Sequence, residues 1–141
     1  AVCADDGFME VYKPGDHGST FGGNPLGAAV AMTALDVIVD ENLAGKAEEI
    51  GDWFMNELRA IDSPHVVEVR GKGLLIGVVI SDESGPANPF CKALKKRGIL
   101  AKETHEQVIR FAPPLVITRE TLKSVLPDIS SVLRGEGLAA S

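Results

Sequence analysis

The sequence predicts an α+β fold in which a small, mainly antiparallel sheet is flanked by helices. Three observations carry that prediction. From Leu43 to Ile61 apolar residues recur at three- and four-residue steps (Leu43, Ala47, Ile50, Phe54, Leu58, Ile61), which is one face of an amphipathic helix. Val66 to Arg70 and Leu74 to Ile80 read as strands joined only by Gly71-Lys72-Gly73, a link short enough to require an antiparallel hairpin. Thr118 then offers a cap to a last helix, with Leu122, Val125, Leu126, Ile129 and Val132 on one face.

The remaining elements follow in order. Residues 1–12 read as a short buried strand, a polar turn at Asp5-Asp6-Gly7 and a second apolar piece. Pro14 to Gly27 packs five glycines, the adjacent hydroxyls of Ser19 and Thr20, and a helix start at Asn24-Pro25. Pro25 to Asp40 carries two apolar stripes, Leu26, Val30, Ala34 and Ile38 beside Ala28, Met32, Leu35 and Val39. So wide an apolar face predicts a helix covered on more than one side. Asp40-Glu41-Asn42 ends that helix and caps the next. The other face of the Leu43–Ile61 helix carries Lys46, Glu48, Glu49, Asp52, Glu57 and Arg59, a solvated surface, with Trp53 at the edge of the apolar stripe as packing. Ser81 to Ala87 is loop, and Asn88-Pro89 repeats the cap-then-proline signal for a short helix ending before Gly98. Ile99 to Ala101 and Gln107 to Phe111 are brief strands, the second stopped by Pro113-Pro114, and residues after Gly135 read as a frayed tail. No internal repeat is present.

Totals bound the function. The chain has 141 residues, enough for one domain with a real core, and its 45% apolar and 24% charged residues are those of a globular protein. A net charge of −6 argues against a nucleic-acid or anionic membrane partner, while leaving room for a local basic pocket. Cys3 and Cys91 are too few for a disulfide framework and favour a reducing, cytoplasmic setting. No apolar run reaches membrane-spanning length. Ala1-Val2-Cys3-Ala4 opens without an initiator Met, as if the chain were entered mid-strand, which reads as a fragment or a processed chain.

Several chemistries are excluded by spacing. Ile76 stands where a dinucleotide fingerprint starting at Gly71 needs its third glycine. His17, His65 and His105 show no metal-ligand spacing, and no nucleophile elbow occurs. Two features remain. The loop before Pro25 places Ser19 and Thr20 hydroxyls among glycine-freed backbone N–H groups, chemically suited to a phosphate and equally to a plain turn before a helix. Arg110 lies between apolar strand residues Val108-Ile109 and Phe111-Ala112. A guanidinium there either faces solvent by alternation or meets a carboxylate, which its planar fork grips in bidentate fashion.

The blocks Lys13–Gly27 (KPGDHGSTFGGNPLG), Arg70–Leu75 (RGKGLL) and Ile109–Ile117 (IRFAPPLVI) occur in the order found in class III, pyridoxal-phosphate-dependent aminotransferases, and the chain resembles that family to about residue 134. The Ser-Thr pair, the Pro-Pro pair and Asp40-Glu41-Asn42-Leu43 resemble its ornithine-using branch more than its acetylornithine-using one. The resemblance implies the C-terminal part of a fold-type-I transferase. Residues 1–24 would end the large cofactor domain, 25–42 form the connecting helix, 43–134 the small C-terminal domain and 135–141 a tail. It implies that Ser19 and Thr20 bind the phosphate of pyridoxal 5'-phosphate held by a neighbouring subunit. Arg110 would hold the carboxylate of an amino- or oxo-acid substrate.

In the family the Schiff-base lysine, the aspartate at the pyridine nitrogen and the ring-stacking aromatic precede this stretch. None of the eight lysines here stands in that lysine's context, so no catalytic residue is assigned and the chain alone is expected to be inactive. The implied partners are the N-terminal half of the enzyme or a neighbouring subunit, and a homo-oligomer is expected because the apolar face of the Pro25 helix and of residues 1–4 needs cover. Two alternatives stand beside this: an acetylornithine or other class III enzyme, and a non-catalytic remnant or assembly module.

Overall fold

Helical apolar spacing becomes helix, and alternation becomes strand, in most of the places just named. The computed structural model describes residues 3–138 and divides the chain into two compact units, residues 1–38 and 39–141.

In the first unit α1 (Asp6–Met9) is a single turn, started by Phe8 N–H donating to the Asp5 carbonyl at 2.9 Å. The expected buried strand is thereby corrected in part. Cys3 and Ala4 have no regular structure and are exposed, and the polar turn has become the first turn of α1; Ala1 and Val2 lie outside the described residues. A strand needs a neighbour to satisfy its backbone, and no strand is present among the described residues of this unit. The glycine loop leads to α2 (Pro25–Asp40). Its start is the expected one: the Asn24 Oδ1 accepts from Gly27 N–H at 2.7 Å, with proline next to the cap. The apolar side chains of α2 are exposed, Leu26 by 75% and Met32 by 68%. The cover predicted for this face is not supplied by the described residues.

The second unit is an antiparallel sheet with helices packed on one face. Strands β1 (Val66–Lys72), β2 (Leu75–Ile80), β3 (Lys102–Thr104) and β4 (Val108–Phe111) lie in the order β1-β2-β4-β3, every neighbour antiparallel. The β1–β2 hairpin turns on Gly73-Leu74, and Gly73 has φ of 54°, a conformation that glycine adopts without a steric penalty. Helices α3 (Leu43–Arg59), α4 (Asn88–Lys96) and α5 (Arg119–Leu133) supply the other half of the core. Phe54, Leu58, Phe90, Leu94, Ile129 and Val132 meet Ile76, Val78, Ile80 and Ile109 there, all at most 1% exposed. The Phe54 and Phe111 rings meet edge to face at 6.0 Å, joining α3 to β4. Close approach is built in at Gly51: a Cβ on this residue would lie 2.0 Å from the Gly73 carbonyl oxygen. Trp53 packs at the edge as expected, with the Arg119 guanidinium 5.1 Å and the Lys123 ammonium 6.0 Å from its ring centre.

Four local expectations are corrected. Asn42 precedes α3 with φ of 49° but makes no side-chain cap; its N–H donates to Val39 at 3.0 Å, closing the helix before it. Asn88 does not cap α4, because Ala87 holds that position and Asn88 and Pro89 are the first helical residues. Residues 99–101 are not a strand: Ile99 N–H turns back to the Leu94 carbonyl at 3.0 Å, and pairing begins only at Lys102, opposite Arg110. Past Gly135 the chain does not fray at once, since Leu138 packs against the core; residues 139–141 lie outside the described residues. Thr118 caps α5 as expected, accepting from Thr121 N–H at 3.2 Å.

Candidate functional site

The first candidate is the loop that ends at Asn24. It is folded by its own backbone: Asp16 N–H donates to Lys13 at 3.0 Å, Gly22 N–H to Ser19 at 3.1 Å, and Lys13 N–H to the Asp16 carboxylate at 2.8 Å. Gly15 at φ of 100° and Gly23 at 72° hold conformations closed to most residues. Ser19 and Thr20 begin a four-residue turn and are exposed. Among the described residues no hydrogen bond engages either hydroxyl, nor the N–H groups of Ser19, Thr20 or Phe21. Two hydroxyls and three backbone donors are therefore free on one turn. That donor set fits a phosphate group.

The second candidate lies on the sheet face that the helices leave open. Alternation along β4 buries Ile109 and Phe111 and turns Arg110 outward, so of the two readings open for Arg110 the exposed one holds. Among the described residues the ion pairs belong to Arg70, Lys72, Arg97 and Arg119, and Arg110 has no acidic partner. It borders a hollow of about 400 Å3 lined also by Arg70, Gly77, Thr104, His105 and Val108. Next to it the β3–β4 connection turns through His105 and Glu106, both at positive φ (50° and 57°). A larger hollow of about 650 Å3, bordered by Ala47, Leu74 and Pro113, is the poorer candidate. Its charged groups, Glu48 and Lys72, already satisfy each other. That pairing holds the Glu48 carboxyl below its usual range and raises the Lys72 ammonium above its own, through the shared hydrogen bond first and charge second.

Ser19 and Thr20 belong to the first unit and Arg110 to the second. What sequence reading missed is the company Arg110 keeps. Arg70 and Thr104 share its hollow, and only cross-strand register reveals that. Among the described residues no group of three or more His, Cys, Asp or Glu side chains is placed to hold a metal, and no helix is long and apolar enough to cross a membrane.

The family model described as aminotransferase class-III matches residues 1–133, and the chain belongs to that family. Its members are pyridoxal-phosphate-dependent enzymes, and the architecture is the α+β C-terminal portion of their fold-type-I structure. The ornithine aminotransferase of Staphylococcus epidermidis is 53% identical over 131 residues, covering 93% of this chain and 32% of that protein. An ornithine aminotransferase structure from Toxoplasma gondii, with partial occupancy of pyridoxal phosphate at its active site, superposes with a TM-score of 0.77 at 45% identity, covering 89% of this chain and 30% of that one. The acetylornithine aminotransferase of Elizabethkingia anophelis gives 0.78 at 47% identity, covering 92% and 33%. The chain thus spans about a third of the length of the relatives it matches.

Proposed function

We propose that the chain is the C-terminal portion of an ornithine δ-aminotransferase, which moves the δ-amino group of ornithine to 2-oxoglutarate and yields glutamate semialdehyde and glutamate. The observation that carries the reading is Arg110: an exposed guanidinium without an acidic partner among the described residues, at the edge of a hollow of about 400 Å3. Unpaired and aimed away from the core, it suits the carboxylate of an amino or oxo acid. In the same reading residues 1–24 end the cofactor domain, 25–42 connect, 43–134 form the small domain and 135–141 a tail.

The Ser19 and Thr20 hydroxyls, with their neighbouring N–H groups, would hold the cofactor phosphate as neutral donors. Bound pyridoxal phosphate supplies the electron sink for amino-group transfer. This chain's contribution is then to hold, on its first unit, the phosphate of a cofactor bound by a neighbouring subunit and, on its second, the carboxylate of a substrate. The lysine that carries the cofactor belongs to the remainder of the enzyme, whether the N-terminal half or a neighbouring subunit. The exposed apolar residues of α2, such as Leu26, Val30 and Met32, support a homo-oligomer in which that face is covered by the N-terminal half of the enzyme or by a neighbouring subunit. We place the assembly in the cytoplasm, a setting supported by the free thiols of Cys3 and Cys91.

A second reading, acetylornithine as amino donor, is favoured by one observation: the acetylornithine enzyme's identity of 47% beside 45% for the Toxoplasma ornithine enzyme. The test is turnover. Purified chain given ornithine, 2-oxoglutarate and pyridoxal phosphate is expected to produce no glutamate. Supplemented with a polypeptide carrying the N-terminal part of the enzyme, it is expected to convert ornithine faster than acetylornithine. Turnover by the chain alone, or preference for acetylornithine in the complemented enzyme, refutes the corresponding half of the proposal.

A further inference from the structure

The open face of the sheet carries a second cation in register with Arg110. Arg70 on β1 stands opposite Gly77 on β2, and Gly77 stands opposite Arg110 on β4. Two arginines thus flank a position without a side chain, their Cα atoms two strand spacings apart, about 10 Å. Both line the same hollow. Glycine keeps its floor open: a Cβ at residue 77 would already meet the Val108 Cγ1 at 3.1 Å. Thr104, on the neighbouring strand β3, also borders the hollow.

Charge points the same way. The chain as a whole is acidic, at −6, yet this hollow is bordered by two guanidinium groups. Arg70 is held by Glu68 at 3.2 Å, but the two side chains are 62% and 50% exposed. So exposed an ion pair is weak, and an incoming carboxylate competes with it on nearly equal terms.

We propose that Arg70 completes a carboxylate subsite around Arg110. Arg70 releases Glu68 to face the carboxylate of a short oxo acid. This rests on the reading of Arg110 as the substrate's carboxylate grip and adds one binding residue to it. Glu68 is then an internal competitor that sets how tightly the anion is held.

The probe is glutarate, a dicarboxylate that undergoes no amino transfer. The purified chain is titrated at constant ionic strength against a chloride control, following the backbone amides of Gly77 and Thr104 by NMR. Amide dispersion confirms that each variant is folded. Glu68→Gln is the decisive variant, because it changes an exposed side chain and is expected to improve binding, by about threefold, as an exposed pair's competition is removed. Arg70→Gln is expected to weaken glutarate about tenfold, the loss typical of one charge-assisted hydrogen bond. If Arg110→Gln abolishes binding while Glu68→Gln and Arg70→Gln match the wild type, this inference is overturned and the reading of Arg110 stands. If the wild type shows no saturable shift beyond the chloride control, or Arg110→Gln binds as well as wild type, both fall together.

Discussion

Replacing Gly51 by alanine adds one methyl group to the middle of α3, where alanine is ordinarily welcome. On helix propensity alone the change stabilises by about 0.5–1 kcal/mol. The structure reverses the sign. The new Cβ would stand 2.0 Å from the Gly73 carbonyl oxygen, 2.3 Å from its carbon and 2.9 Å from its Cα. All three are backbone atoms of the hairpin turn, so no rotamer change relieves the clash; helix and hairpin must separate by about an ångström, and over-packing of this kind costs about 1–3 kcal/mol or more. With the upper end appropriate to a backbone obstacle, the net loss is about 2 kcal/mol, which in a chain of this size lowers the melting temperature by roughly 8 °C. Gly45 is the internal control on the same helix. Its Cβ would meet only the Asn42 side-chain amide, at 2.7 Å, and that side chain makes no cap bond that anchors it. Gly45→Ala is therefore expected to melt at or slightly above the wild type. Thermal unfolding of the three proteins, followed by circular dichroism, reads the difference. A Gly51→Ala protein as stable as Gly45→Ala would show that α3 does not rest on the Gly73 turn.

The complemented enzyme tests the two proposed anion grips. Arg110→Lys is expected to raise the KM for 2-oxoglutarate by about tenfold with a smaller effect on kcat, because a point charge replaces a planar fork; unchanged oxo-acid kinetics would remove Arg110 from the site. Thr20→Ala is expected to weaken pyridoxal phosphate retention by about tenfold, seen as faster loss of cofactor absorbance on dialysis, since one phosphate donor is gone. The Glu48–Lys72 pair gives a pH signature. Its carboxyl is held below the ordinary 4.5, so the pair's contribution is present above that value and is lost as pH falls through the lowered one. Its ammonium is held above 10.5, so the contribution also disappears as pH rises through that raised value. The melting-temperature gap between wild type and Lys72→Met is accordingly expected to be small, flat near neutrality and to close at both extremes; a gap that persists in acid contradicts the pairing.

Legibility in the sequence followed how local each signal was. The helices α3 and α5 and the first hairpin were readable because the apolar spacing, the short link and the Thr118 cap are all written within a few residues. Ile99-Leu100-Ala101 misled because apolar content is not pairing. What decides β3 is the register opposite Arg110, about ten residues away, and the backbone bond that ties Ile99 back to α4. Asn88 misled because a cap is a backbone conformation as much as a residue type, and Ala87 takes that place. That Ser19 and Thr20 stand on a glycine-rich loop was legible from composition, and that no hydrogen bond among the described residues engages their hydroxyls became visible only with coordinates. Arg70, Gly77 and Arg110 are spread over forty positions of chain, and no window of sequence shows that they share a row.

Trp53 is the chain's one tryptophan, and it sits on α3 beneath two cations supplied by α5. The indole is thus a reporter installed at a single seam of the molecule. Its emission registers whether the last helix has seated, and does so without any added label. Salt, which screens cations from one another more than it disturbs apolar packing, offers a way to tune that seam while watching it in the same cuvette.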